Sequence, residues 1–301
     1  MIGIIGGTGL YELEGFVEEQ SLNIETPYGP HSGSISIGTL KPSPLEGEGD
    51  FALAKSGEGA LGQKLIFLPR HNKQHDLLPS EINYRANIWA LKKLGAKAVI
   101  SVSSVGSLSE SIQPGDFVIP DQYFDWTRGK RESSFFGDGL LAHVSMAEPS
   151  CDILARGVQE IAETQNRVLH RPATCVTVEG PRYSTKVESE YFRALGGHII
   201  GMTAAPEVFL AREAQLCHIT LAAVTDYDCW KLKPSEHVSA LQVTEQAQSN
   251  LKHAIELLQV FLKDMPDLSS CSCRKALEGA IITPDSQILD SQRVLLELLR
   301  K

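Results

Sequence analysis

The sequence predicts an α/β fold, a mixed, largely parallel twisted sheet flanked by helices. Three observations predict it. Short apolar runs of strand length alternate with helix-length segments along most of the chain, the pattern of βαβ units. Several of those runs end in turns rich in glycine, serine and threonine, where open α/β sheets bind ligands. Apolar residues make up 42% of the 301 and charged residues 22%, a mix that supports a sizeable core.

In chain order, residues 2–5 form the first strand and run into Gly6-Gly7-Thr8-Gly9. Residues 65–68 form another, ending at Pro69-Arg70-His71. A helix over 80–94 follows, with Pro79 before it and Gly95 after it as start and stop signals. The run 98–102 is a strand that leads into Ser103-Ser104-Val105-Gly106. Downstream, helices over 187–195 and 207–216 alternate with strands over 198–201 and 218–224, which run into Met202-Thr203 and Thr225-Asp226. A long helix over 240–262 and a C-terminal helix over 286–299 complete the pattern. Residues 41–64, with Pro-Ser-Pro and repeated glycines, read as an exposed extension, and a helical tail starts at about 265. No repeat and no composition break divides the chain, so a single domain over 1–301 is expected.

Composition narrows the function. Lys and Arg number 28 against 37 Asp and Glu, a formal charge of −9. That balance argues against nucleic acid as a partner, because phosphate backbones need clustered cations. One small anion is compatible with it, since backbone amides and a single arginine can hold a phosphate. The N-terminus shows no signal-peptide pattern and no 18-residue apolar run occurs, so a cytoplasmic protein without membrane contact is expected. The six cysteines (Cys151, Cys175, Cys217, Cys229, Cys271, Cys273) are too sparse for a disulfide framework. Neither Cys-x-x-Cys nor His-Glu-x-x-His is present, so no metal site is expected.

The residues able to do chemistry gather just beyond the strand ends. Gly6-Gly7-Thr8-Gly9 lets the backbone approach an anion, with the Thr8 hydroxyl as a donor. The loop fails the dinucleotide fingerprint, because Glu12 stands where a third glycine is needed, and the chain has no Gly-Lys-Ser/Thr P-loop tripeptide. It suits a small oxyanion. Arg70-His71 supplies charge and a planar fork for that anion, and Ser103, Ser104 and Thr203 add hydroxyls and amides. Asp226 and Asp228 stand two apart at a strand end, so extended backbone would place both on one face. A pair of acids there can hold an amino group and a ring nitrogen together, one member being kept protonated. The alternative for that pair is an Asx turn followed by a surface acid. Tyr183 is placed to stack on a heterocycle or to join the core.

These segments, with Arg70-His71-Asn72-Lys73-Gln74-His75, Gly106-Ser107-Leu108, Glu179-Gly180-Pro181-Arg182-Tyr183-Ser184, Pro206-Glu207-Val208 and Thr225-Asp226-Tyr227-Asp228-Cys229-Trp230, resemble the trimeric purine nucleoside phosphorylases, and among these the 5′-methylthioadenosine phosphorylases. The resemblance runs in order from residue 1 to about residue 260. It implies a purine nucleoside phosphorylase-like fold, a homotrimer, and cleavage of 5′-methylthioadenosine by inorganic phosphate, a co-substrate used without cofactor or metal. By that resemblance Thr8, Arg70, His71, Ser103, Ser104 and Thr203 cradle phosphate, and Met202 contacts the ribose. Tyr183 packs on the purine, Asp226 serves N7 as the catalytic acid, and Tyr227 and Asp228 complete the base pocket. Members acting on 6-oxopurines usually carry asparagine where Asp226 stands, so two aspartates with Ser184 favour a 6-aminopurine. His143 matches a histidine near the methylthio group, in a pocket that the family completes from a neighbouring subunit. Ala240 and Val243 fall near apolar positions of that pocket, Ala240 widening it. The alternatives are a methylthioinosine or 6-oxopurine nucleoside phosphorylase and, from another class, a non-catalytic nucleoside-binding module.

Overall fold

A computed structural model describes residues 1–7, 15–40, 63–127, 129–231 and 239–301. Thr8 and residues 41–62 of the expected extension lie outside the described residues.

In chain order the strands are β1 (Ile2–Gly6), β2 (Phe16–Leu22), β3 (Ile35–Leu40), β4 (Gln63–Pro69), β5 (Ala98–Ser107), β6 (Phe117–Val118), β7 (Gln122–Asp125), β8 (Leu169–His170), β9 (Thr174–Thr177), β10 (Ile199–Gly201) and β11 (Cys217–Asp226). The helices are α1 (Tyr84–Lys93), α2 (Asp152–Thr164), α3 (Lys186–Ala194), α4 (Ala204–Glu213), α5 (Ala240–Lys263) and α6 (Asp290–Leu299).

The strands join in a mixed sheet with the order β2-β3-β4-β1-β5-β10-β9-β7, from which β11, β6 and β8 branch. The pairs β1–β4, β1–β5, β5–β11, β7–β9, β9–β10 and β6–β8 are parallel, so the largely parallel sheet expected from the sequence is present. Strand alternation sends side chains to opposite faces. Ile4, Leu65, Phe67, Ile100 and Val102 pack on one face against α2 and α5, through Leu154, Val158, Leu257 and Phe261. Ile5, Ile66, Leu68 and Val99 pack on the other against α1 and α4, through Ile88, Leu91, Leu210 and Ala211. Gly3 allows that second layer to come close, because a Cβ there would lie 3.3 Å from Leu91 and from Val99.

Two expected strands run further than the apolar runs indicate. β5 continues through Ser103, Ser104 and Gly106, because β11 pairs it in parallel from Ala98 to Gly106. β11 itself continues to Asp226, with a bulge between Val224 and Asp226. Ser103 and Ser104 are therefore strand residues and not a following turn. The helices begin where polar side chains satisfy their first amides. Asn83 accepts from the Ala86 N–H at α1, and Ser239 accepts from the Gln242 N–H at α5.

Candidate active site

The C-terminal halves of β5 and β11 face α5 across a cavity of about 790 Å³. Val102 and Gly106, four residues apart on β5, both line it, so it extends roughly 13 Å along that strand. That span accommodates an anion at one end and a heterocycle at the other.

Arg70, just after β4, marks the anion end and is 2% exposed. Its Nε and one Nη donate to the two carboxylate oxygens of Glu207, each at 3.1 Å, and the other Nη donates to the Val102 carbonyl at 2.8 Å. Burial would raise the Glu207 carboxyl, and Arg70 with His218 overcomes it, holding the pKa down at about 2. Ser101 Oγ also donates to Glu207. A guanidinium carries five N–H donors, so two remain for a ligand. Burial pushes the neighbouring His71 down to about 4, so its ring is neutral at pH 7. Nδ1 of His71 lies 2.8 Å from the Leu77 carbonyl and donates to it, which leaves Nε2 as an acceptor. The sequence predicts that Arg70 and His71 both supply charge. Here Glu207 already balances the arginine and burial discharges the histidine. Ser103, Ser104, Thr203 and Gly7 line the same cavity, and the Thr203 hydroxyl makes no capping bond to α4.

At the other end stand the two aspartates. Asp226 accepts at 2.7 Å from the Thr225 hydroxyl and at 2.7 Å from the Asp228 N–H. Burial, opposed by those hydrogen bonds, still pushes the Asp226 carboxyl up to about 6. Extended backbone does not place the pair on one face as expected. Asp228 has φ of 51°, and its N–H closes an Asx turn on Asp226. The turn was the alternative for this pair, yet its second acid is no surface group: Asp228 is 3% exposed and lines the cavity. Burial raises the Asp228 carboxyl, against the nearby hydroxyls of Ser189 and Ser184. Its Oδ2 is buried without a hydrogen-bond partner. Such an orphan costs about 1–3 kcal/mol, which a ligand N–H would relieve. Gly106 makes room for both acids, since a Cβ there would lie 3.0 Å from Asp226 Oδ1 and 3.4 Å from Asp228 Cβ. Tyr183 lines this end, with its hydroxyl raised by burial and by the charge of Asp226.

Comparison with known proteins places this geometry. Residues 1–260 match the family model of the phosphorylase superfamily. The chain belongs to the phosphorylase superfamily. An S-methyl-5′-thioadenosine phosphorylase of Nitrosopumilus maritimus (strain SCM1) is 42% identical over 279 residues, 93% of this chain and 97% of the relative. A methylthioadenosine phosphorylase crystal structure from an antarctic soil metagenomic library superposes with a TM-score of 0.85 at 39% identity, covering 99% of this chain and 98% of that one. The Schistosoma mansoni methylthioadenosine phosphorylase in complex with adenine superposes with a TM-score of 0.80 at 33% identity, covering 93% and 98%.

Within this phosphorylase, Met202, Ser184 and Val243 also line the cavity, as expected. Three expected site residues do not. Tyr227 packs edge-on against Trp230, their ring centroids 5.8 Å apart. Ala240 is the exposed first residue of α5, one turn before the helix meets the cavity through Val243, Ala247 and Leu251, so it does not widen the pocket. His143 is exposed and bound through its N–H to the Ala280 carbonyl, away from its own chain's cavity.

Two positioning residues carry no role in the sequence analysis, although Glu207 stands in one of its motifs. Glu207 aligns Arg70, as above; a lone acid between Ala204-Ala205-Pro206 and Val208-Phe209-Leu210 is its signal. Arg131 donates to the carbonyls of Met202 (2.7 Å), Ala205 (2.9 Å) and Glu179 (3.0 Å), tying together the two loops that border the cavity. It stands in a polar loop where no pattern marks it.

Proposed function

We infer that this phosphorylase cleaves 5′-methylthioadenosine with inorganic phosphate, giving adenine and 5-methylthioribose 1-phosphate. The orphaned Oδ2 of Asp228 beside a carboxyl poised near pH 6 carries the choice of base. A 6-aminopurine offers an N–H to Asp228 and a ring nitrogen to Asp226, whereas a 6-oxopurine would set a carbonyl against a carboxylate. The adenine bound to the Schistosoma mansoni relative supports the same choice.

The phosphate is gripped by the two spare N–H groups of Arg70 and by the hydroxyls of Ser103, Ser104 and Thr203. His71 Nε2 accepts the hydrogen of a monoprotonated phosphate and so orients it beneath C1′. A phosphate oxygen forms a bond to C1′ while the C1′–N9 bond breaks and its electron pair enters the purine. Asp226, protonated, donates to N7 and neutralises the departing base. The positive charge on the ribose at the transition state sits between the phosphate and Met202, held in place rather than assembled during the reaction. Tyr183 covers the base and Val243 meets the 5′-substituent. Inorganic phosphate is a co-substrate, and this exchange of bonds calls for no cofactor.

We also propose a homotrimer in which His143 serves a neighbouring subunit's 5′ pocket; its exposure outside its own cavity supports that role. A cytoplasmic enzyme fits the described residues, among which no helix is long and apolar enough to cross a membrane. Product identification after incubating methylthioadenosine or methylthioinosine, each with and without phosphate, tests the function. Phosphate-dependent adenine release, faster than hypoxanthine release, is expected; faster hypoxanthine release would assign the 6-oxopurine alternative, and binding without turnover the non-catalytic one.

A further inference from the structure

Four of the six cysteines converge at the opposite end of the sheet from the cavity. Cys151 caps α2, Cys217 opens β11, and Cys271 and Cys273 lie in the turn that follows α5. All four are buried in the core with free thiols. Their sulfurs all lie within 4.8 Å of one another, and Cys151 Sγ is 3.7 Å from Cys271 Sγ.

Those separations discriminate between two uses of thiols. A disulfide needs its sulfurs about 2.05 Å apart. A tetrahedral zinc site with Zn–S of about 2.3 Å sets its sulfurs roughly 3.8 Å apart along every edge. The Cys151–Cys271 separation of 3.7 Å matches the second value, and no other pair of these sulfurs lies more than about 1 Å beyond it. We infer that Cys151, Cys217, Cys271 and Cys273 form a structural tetrathiolate site for a zinc ion.

The charges around the cluster suit that occupant. Loading releases four thiol protons and leaves four thiolates on one Zn²⁺, a net charge of −2 in a buried place. Arg212 of α4 acts electrostatically on Cys273, and its Nε is buried without a hydrogen-bond partner. Lys92 of α1, 7% exposed, lies near Cys217. These two cations offset the two negative charges. Four protein ligands leave no open position, so the ion binds no substrate. Cys217 is also nine residues from Asp226 on one strand, roughly 30 Å from the reaction. The ion would instead fasten the C-terminal segment to the start of β11 and of α2. The sequence shows neither Cys-x-x-Cys nor His-Glu-x-x-His, because these four ligands come from three separated segments and only Cys271-Ser272-Cys273 is local.

The test uses the full chain expressed in zinc-replete medium and purified under reducing conditions. Elemental analysis should give one zinc per chain, and expression with cobalt should give the intense thiolate-to-cobalt charge-transfer absorption of a sulfur-rich tetrahedral site. Cys273→Ser should lower bound zinc at least tenfold, whereas Cys175→Ser, a buried thiol outside the cluster, should retain it. Adenine release reports that each variant is folded, and the cobalt spectrum of the unsubstituted chain decides alone if Cys273→Ser does not fold. Metal-free chain with all six thiols titratable, a mass reduced by the hydrogens lost to disulfides, or full zinc in folded Cys273→Ser would each overturn the assignment.

Discussion

The two ends of the cavity treat buried charge in opposite ways. At the anion end, Arg70 is matched to Glu207 before any ligand arrives, and three of its donors are already used. At the base end, Asp228 keeps an acceptor oxygen without a partner and Asp226 is held close to half-protonation at about pH 6. The first end has its charge balanced and two arginine donors to spare, which under the proposed function suits any compact oxyanion. The second is incomplete without its ligand, so it selects one. On the proposed function, specificity would reside where the protein is left unsatisfied, and affinity for phosphate where it is not.

Breaking the complete end should have the largest effect. Arg70→Met leaves Glu207 buried and uncompensated, which should cost about 3–5 kcal/mol of stability as well as turnover. Urea unfolding checks the first and phosphorolysis the second. At the incomplete end, Asp226→Asn should fold normally but lose roughly 10²–10⁴-fold in kcat on methylthioadenosine, with KM for phosphate unchanged. Steady-state kinetics in both substrates separate the two ends.

The comparison also has a pH signature. On the proposed mechanism Asp226 acts protonated, so kcat/KM for methylthioadenosine should fall as pH rises through about 6, and Asp226→Asn should lack that limb. The folded chain holds this proton more tightly than the unfolded chain does. Its contribution to stability is therefore complete below pH 3.8 and lost as pH rises through about 6. Denaturation across that window should show a shallower decline in Asp226→Asn. The smallest effect belongs to the wall that touches neither end: Val243→Ala should lower the preference for methylthioadenosine over adenosine about three- to tenfold, through lost apolar contact.

How much was legible in the sequence follows the same division. Strands buried on both faces, such as Ile2–Gly6, declare themselves as apolar runs, and helices with Pro and Gly punctuation do likewise. The exposed edge strand Phe16–Leu22 carries Glu18, Glu19 and Gln20 and has no such signal. Helix Asp152–Thr164 was legible, through Leu154, Ala155, Val158 and Ala162 at helical spacing, and was missed. Cavity residues in glycine-rich strand ends were found because glycine and hydroxyl residues there have few other uses. Ligand-free partners such as Glu207 and Arg131 were not, because their role is to hold another residue or a backbone carbonyl. The left-handed turn at Asp228 and the position of Ala240 one turn too early on α5 depend on a bulge and a helix register that spacing alone does not fix.

The most direct measurement is the ratio of kcat/KM for methylthioadenosine over methylthioinosine in the unsubstituted enzyme and in Asp228→Asn. An amide at that position fills the unsatisfied place with a group that both donates and accepts, so the ratio should collapse by at least tenfold while phosphate KM stays constant. An unchanged ratio in a folded Asp228→Asn enzyme would contradict the claim that the orphaned carboxylate oxygen selects the base.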